Sequence, residues 1–304
     1  MKSKKKYVGK KPSRKPYRRK LIYGAIVVAA VILGFLVYSS SQRPQNKPSN
    51  KFPFKAAIID HLGKGGPNPW PNETFVNAVE NMLETYGFQV DYYESENVTV
   101  NFYRSLPTRG YGLAIFRVHS TIVEGLNLIG LFTSEPYVAG KYPYPGLLEA
   151  WYNQSSSERY FGIAPGFIEA SMGGYFENTI VVLMGCNGLT YNTAAEAFVN
   201  RGAKVCIGWN GLVSAPHTDQ ATEYLIRCLV VNKWTINDAV NATMEEIGPE
   251  LVYESQQGYK TVLKYYPSTA GNFTIPFAVS SFSHRIFGIA VIFMKDELKA
   301  GSSI

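Results

Sequence analysis

From residue 55 onward, short apolar runs alternate with amphipathic stretches. Residues 55–62 (KAAIIDHL), 88–93, 111–119 (YGLAIFRVH), 179–185 (TIVVLMG) and 203–208 (AKVCIG) are nearly continuous in apolar side chains. That is the pattern of strands buried on both faces. Between the first two runs, Phe75, Val76, Val79, Met82 and Leu83 recur at helical spacing, so residues 74–86 read as a helix with Thr74 as its cap and Gly87 as its stop. Residues 193–201 (closing at Gly202), 219–232 and 235–247 read as further helices. The stretch 137–174, rich in Gly, Pro and Tyr, reads as an insertion of loops and short elements. The tail from 272 to 294 reads as extended, with short strands near 275–279 and 286–293. Alternating strands and helices predict an α/β domain with a mostly parallel sheet covered on both faces, its chemistry at the carboxyl ends of the strands.

The first fifty residues break this rhythm. Residues 21–38 (LIYGAIVVAAVILGFLVY) carry no charge, and the uncharged run continues to Gln42. At about 1.5 Å per residue it spans about 30 Å, the thickness of a bilayer core. Eleven of the 30 Lys and Arg lie in residues 1–20, where no acid falls, so the whole-chain charge of +7 leaves −4 for the remainder. Positive charge stays on the cytoplasmic side, which places the N-terminus inside and the body outside. The expected organisation is a basic cytoplasmic tail (1–20), one transmembrane helix (21–40), a proline-containing stalk (41–54) and a domain over 55–304. A cleaved signal peptide is the other reading of the apolar run, although such peptides have an apolar region of about 7–15 residues. Five N-x-[ST] triplets, at Asn72, Asn97, Asn153, Asn241 and Asn272, agree with export and glycosylation. The mildly acidic body has no basic stripe, so no nucleic-acid partner is expected.

Three cysteines, Cys186, Cys206 and Cys228, are too few for a disulfide framework and leave at least one free thiol. Cys206 falls inside an apolar run and Cys228 on the apolar face of a helix, as core residues do. His119 ends the third apolar run, and Cys186 ends the fourth, followed by Asn187, Gly188 and a helix. A thiol aimed at a helix N-terminus has its thiolate stabilised, and an imidazole on the next strand can exchange a proton with it. Backbone N–H groups at the turn after Cys186 are suited to hold an oxyanion. Equally, isolated cysteines are among the most buried residues and commonly only pack. His217 is the runner-up base, His284 reads as a surface residue, and the Gly-rich loop after His61 lacks the ending of a phosphate loop. No ligand spacing for a metal is present, and no cofactor is expected.

The ordered segments LAIFRVHS (113–120), VVLMGCNG (181–188), AAEAFVNRGAKVCIGW (194–209) and DQATEYLIRCL (219–229) resemble the caspase-like cysteine peptidases, a group that includes caspases, gingipains, clostripain, separase and, nearest in pattern, CHAT domains. The resemblance implies a caspase-like three-layer α/β/α sandwich with Cys186 as nucleophile and His119 as general base. It implies oxyanion donors at Ser120 and Cys186, where family members usually have Gly in place of Ser120. It also implies a substrate pocket at the ends of the first and fifth strands, formed by Asp60, Trp209 and Asp219, whose carboxylates would favour cleavage after basic residues. Two functions fit these residues. One is a membrane-anchored extracytoplasmic endopeptidase acting on a protein or peptide substrate. The other is a catalytically inactive surface domain of the same fold that binds peptides or partner proteins.

Overall fold

The five apolar runs become five parallel strands of one sheet. The structure, a computed structural model, describes residues 52–152 and 157–276. The expected transmembrane helix, most of the stalk, Asn153 and the strand near 286–293 lie outside these residues. Among the described residues, no helix is long and apolar enough to cross a membrane.

The strands are β1 (Lys55–Asp60), β2 (Gln89–Tyr93), β3 (Leu113–Arg117), β8 (Ile180–Leu183) and β9 (Val205–Trp209), with β10 (Leu263–Tyr266) added antiparallel at the edge. Their order is β10-β9-β8-β3-β1-β2. The chain leaves β1 toward β2 on one side and then continues through β3, β8 and β9 on the other. The direction of winding therefore switches between β1 and β3, where α/β sheets open a crevice. β10 has no counterpart in the apolar pattern because LKYY is short, charged and bound along one side only.

Alternate residues of each strand enter two separate cores, as the period of two requires. Ala56, Ile58, Ile115, Val182 and Ile207 pack on one face with helices α1 (Glu73–Thr85), α5 (Ala215–Ile226) and α6 (Ile236–Glu246). Ala57, Ile59, Phe116, Val181 and Cys206 pack on the other with α2 (Val100–Ser105), α3 (Pro165–Ala170) and α4 (Thr193–Asn200). The cap of α1 is Asn72 and not Thr74: its side chain accepts from the Phe75 N–H at 3.1 Å. Gly87, at φ 89°, ends that helix as expected. α5 starts at Ala215, four residues earlier than its apolar pattern, because Pro216 fits a first helical turn. Arg227–Val231 continue it as a π-helical turn, and a short α7 (Glu254–Gln257) precedes β10.

The expected insertion 137–174 contributes two strands to a sheet that begins before it, at Ser120. β4 (Ser120–Val123), β5 (Leu128–Pro136), β6 (Leu147–Ala150) and β7 (Tyr160–Ile163) form a second, antiparallel sheet in the order β4-β5-β7-β6. Three of these strands, β4, β6 and β7, have only four residues and carry too little periodicity to be read locally. Their identity comes from packing: Ile129, Leu131, Phe161 and Ile163 join the second core.

β3 and β8 pair in parallel, with Phe116 opposite Leu183, and the Met184 N–H extends the ladder to the Phe116 carbonyl at 3.0 Å. Just beyond, the chain from Val118 to Ser120 crosses close to Gly185. A Cβ at Gly185 would stand 2.3 Å from the Val118 carbonyl oxygen and 2.4 Å from the Ser120 hydroxyl. Gly185→Ala is expected to lower stability by about 3 kcal/mol, read from the urea midpoint, by forcing these two strand ends apart.

Candidate active site

Gly185 lets the ends of β3 and β8 converge, and the convergence brings His119 and Cys186 to the same edge of the sheet. The Ser120 hydroxyl donates to the Cys186 carbonyl at 2.6 Å and ties the two ends together. Ser120 has a negative φ, so a residue with a side chain fits its turn without strain. Two asparagines in the left-handed region flank the pair, Asn187 (φ 62°) directly after the thiol and Asn68 (φ 50°) against the imidazole. Asn is among the few residues that tolerate this conformation.

His119 Nε2 lies 3.4 Å from the Asn68 carbonyl oxygen and 3.3 Å from its side-chain nitrogen. A proton on Nε2 can be donated to that carbonyl, which leaves Nδ1 as the basic nitrogen; with the proton on Nδ1 instead, Nε2 accepts from the Asn68 amide. Nδ1 carries no hydrogen bond among the described residues. Burial lowers the pKa of His119, the Arg117 charge lowers it further, and the Asn68 contact opposes both. The ring is therefore neutral at neutral pH.

Cys186 is half-buried. Its thiol donates to the Val213 carbonyl at 3.5 Å and accepts from the Val213 N–H at 3.4 Å. No hydrogen bond joins it to His119 among the described residues. The helix expected to activate it, α4, begins only at Thr193, beyond an intervening turn, and burial pushes the thiol pKa up. The loop that covers the thiol is held by Glu250, a buried carboxylate that accepts from the Ser214 N–H at 2.9 Å and from the Ser214 hydroxyl at 2.6 Å. His217 packs against Trp209 at 5.3 Å between ring centroids and makes no bond to Cys186 among the described residues.

The expected substrate pocket takes a different form. Asp60 and Asp219 both pair with Arg117, a side chain with no exposed surface. Arg117 donates from Nη1 to Asp60 at 2.8 Å, from Nε to Asp219 at 2.8 Å, and from Nη2 to Asp219 at 2.9 Å and to the Trp70 carbonyl at 2.7 Å. Tyr92 donates to the other oxygen of Asp60, and Asn72 to the Asp219 oxygen that also accepts from Arg117 Nη2. Trp209 is fully buried, its indole N–H bonded to Thr218. Trp209 is internal structure, and a single guanidinium is shared by the two carboxylates. The signal for this was present in the sequence, since Arg117 is a lone charge inside an apolar strand and demands buried acids. Asn72 is likewise bonded at both ends of its amide, to Asp219 and to the Phe75 N–H. A cavity of about 450 Å³ is lined by Asp60 together with Lys64, Asn72, Glu73, Tyr92 and Glu94; Asp219, Trp209, His119 and Cys186 are not part of its lining.

Sequence reasoning missed His61 and Tyr152. His61 follows β1 with no exposed surface, and its Nε2 lies 2.8 Å from the Tyr152 hydroxyl. Burial, then the His119 charge, lower its pKa to about 3, against the backbone of Thr133. Among the described residues, no group of three His, Cys, Asp or Glu is placed to hold a metal.

No protein-family model matches the chain, and no curated protein matches it. Among solved structures, the Arg specific cysteine proteinase gingipain R is similar at 13% identity and a TM-score of 0.43, over 66% of this chain and 44% of that one. The complex of Porphyromonas gingivalis RgpB pro- and mature domains is similar at 12% identity and a TM-score of 0.46, over 75% of this chain and 51% of that one. This chain thus spans about half the length of either match or less. Gingipains belong to the group that residues 113–229 resemble, and both TM-scores lie below 0.5.

Two measurements follow from these buried charges. Arg117→Met leaves two buried carboxylates unpaired and is expected to cost about 3–5 kcal/mol of unfolding free energy. His61 titrates near 6.5 when unfolded and about 3 when folded, so on acidification the unfolded chain takes up the proton first. The stability gained from burying it neutral is complete above pH 6.5 and is lost as pH falls toward 3. Between pH 7 and pH 4 the wild type is expected to lose roughly 3 kcal/mol that His61→Phe retains, as read by urea denaturation.

Proposed function

We propose that this chain is a cysteine peptidase with Cys186 as nucleophile and His119 as general base. The observation that supports it is the meeting of a thiol and an imidazole at the carboxyl ends of adjacent parallel strands, stitched by Ser120. In the tautomer that donates from Nε2 to the Asn68 carbonyl, His119 has Nδ1 available for the thiol proton. Both groups are uncharged at rest, since burial raises one pKa and lowers the other. The proton moves from sulfur to Nδ1 as the sulfur adds to the scissile carbonyl carbon. The carbon–nitrogen bond then breaks, the departing amine takes the proton from His119, and water hydrolyses the thioester. The backbone N–H groups of Ser120 and Cys186 are the oxyanion donors in this reading. The apolar run at 21–40 would tether the domain outside the cytoplasmic membrane.

One observation favours the second function, an inert peptide-binding domain: the thiol is bonded to the Val213 peptide and not to His119. Alkylation separates the two. Cys206 and Cys228 have no exposed surface, so labelling of the native full-length chain reads Cys186. An acyloxymethyl ketone peptide is expected to modify Cys186 stoichiometrically, and His119→Ala to slow it about 10²-fold. A wild-type rate no faster than that of a free thiol, unchanged in His119→Ala, would leave the binding function in its place.

A further inference from the structure

His119 is bordered by a second imidazole that the peptide-cleavage chemistry leaves unused. His61 is fully buried, and its Nδ1 has no hydrogen bond of good geometry among the described residues. An orphaned buried nitrogen costs about 1–3 kcal/mol, which a phenylalanine in the same place would avoid. Packing alone is thus a poor account of a histidine here.

Its surroundings supply another account. The Tyr152 ring stacks on Phe132, with centroids 4.7 Å apart and planes at 28°. It meets the His119 ring at 5.0 Å and 62°. His61 meets His119 at 5.6 Å and 85°, and Phe132 meets it at 6.2 Å and 70°. Three rings therefore enclose His119 in steep, edge-type contacts, the arrangement aromatic rings prefer. The hydroxyl of Tyr152 closes the group by its bond to His61 Nε2. Burial raises the tyrosine pKa, so the phenol keeps its proton and donates it to Nε2. His61 is thereby held with its own proton on Nδ1. With His61 titrating only near 3, the enclosure stays uncharged throughout the range in which His119 works.

We propose that His61 and Tyr152 are positioning residues, a hydrogen-bonded aromatic bracket that holds the His119 ring with Nε2 on Asn68 and Nδ1 toward the thiol. The proposal rests on the reading of His119 as the base. Neither residue touches the reacting atoms. Their effect is to select one orientation and one tautomer of the imidazole, which a base must present at the moment of proton transfer.

The test uses the full-length chain with ¹⁵N-labelled histidine, in which only four histidines contribute signals. In the wild type, His119 is expected as a single neutral tautomer with its proton on Nε2. Tyr152→Phe keeps the ring and removes the hydroxyl, and the His119 signals are then expected to show both tautomers. On a peptide substrate, kcat is expected to fall about tenfold with KM unchanged. His61→Phe deletes the same bond from its other end and is expected to act alike, so a variant that fails to fold leaves its counterpart as the test. A wild-type His119 protonated on Nδ1, or one tautomer persisting in both variants, overturns the bracket. A tautomer mixture in the variants, together with Cys186 alkylation indifferent to His119→Ala, sustains the bracket and removes the peptidase reading.

Discussion

A guanidinium with no exposed surface sits at the point where the sheet changes its direction of winding. Arg117 closes β3, Asp60 closes the neighbouring β1, and Asp219 comes from α5 on the face above them. The Trp70 carbonyl adds the loop that follows β1. Buried ions are tolerable only when every donor and acceptor is matched, and here the match fixes two strands, one helix and one loop against each other. The loop so fixed is the one that carries Asn68 to His119. An interaction that takes no part in proton transfer thus sets where the imidazole can be.

The second fixed relation is steric. Gly185 has no side chain where β3 turns away into β4, and that lets the chain at Val118 and Ser120 pass close to the end of β8. The thiol and the imidazole each stand next to an asparagine in the left-handed region, and departures from easy backbone geometry gather where a site must hold its shape. Packing elsewhere is regular, with alternate strand residues feeding two cores.

Much of this order was legible in the sequence. The buried strands announce themselves as apolar runs, and α1, α4 and α6 by their spacing, because burial on a helix or sheet face is written locally. Cys186 and His119 were visible as a thiol and an imidazole ending such runs. The antiparallel sheet β4–β7 was not, since three of its four strands have only four residues and too few positions to show an alternation. Asp60 and Asp219 were noticed as acids following the first and fifth strands, but their shared partner was not, because Arg117 lies in a different strand. His61 and Tyr152 lie 91 positions apart and are joined only by the fold. No spacing rule links them.

The placement of the three thiols has a consequence for redox chemistry. Cys206 lies within β9 and Cys228 within the π-helical turn after α5, both sealed from solvent, while Cys186 alone is partly open. An oxidant reaching the protein therefore meets one sulfur. A sulfenic acid formed there would have no neighbouring thiol to convert it into an internal disulfide. Its recovery depends on a small thiol or another protein arriving from outside, so the chemistry of the surrounding medium sets how long Cys186 stays reduced.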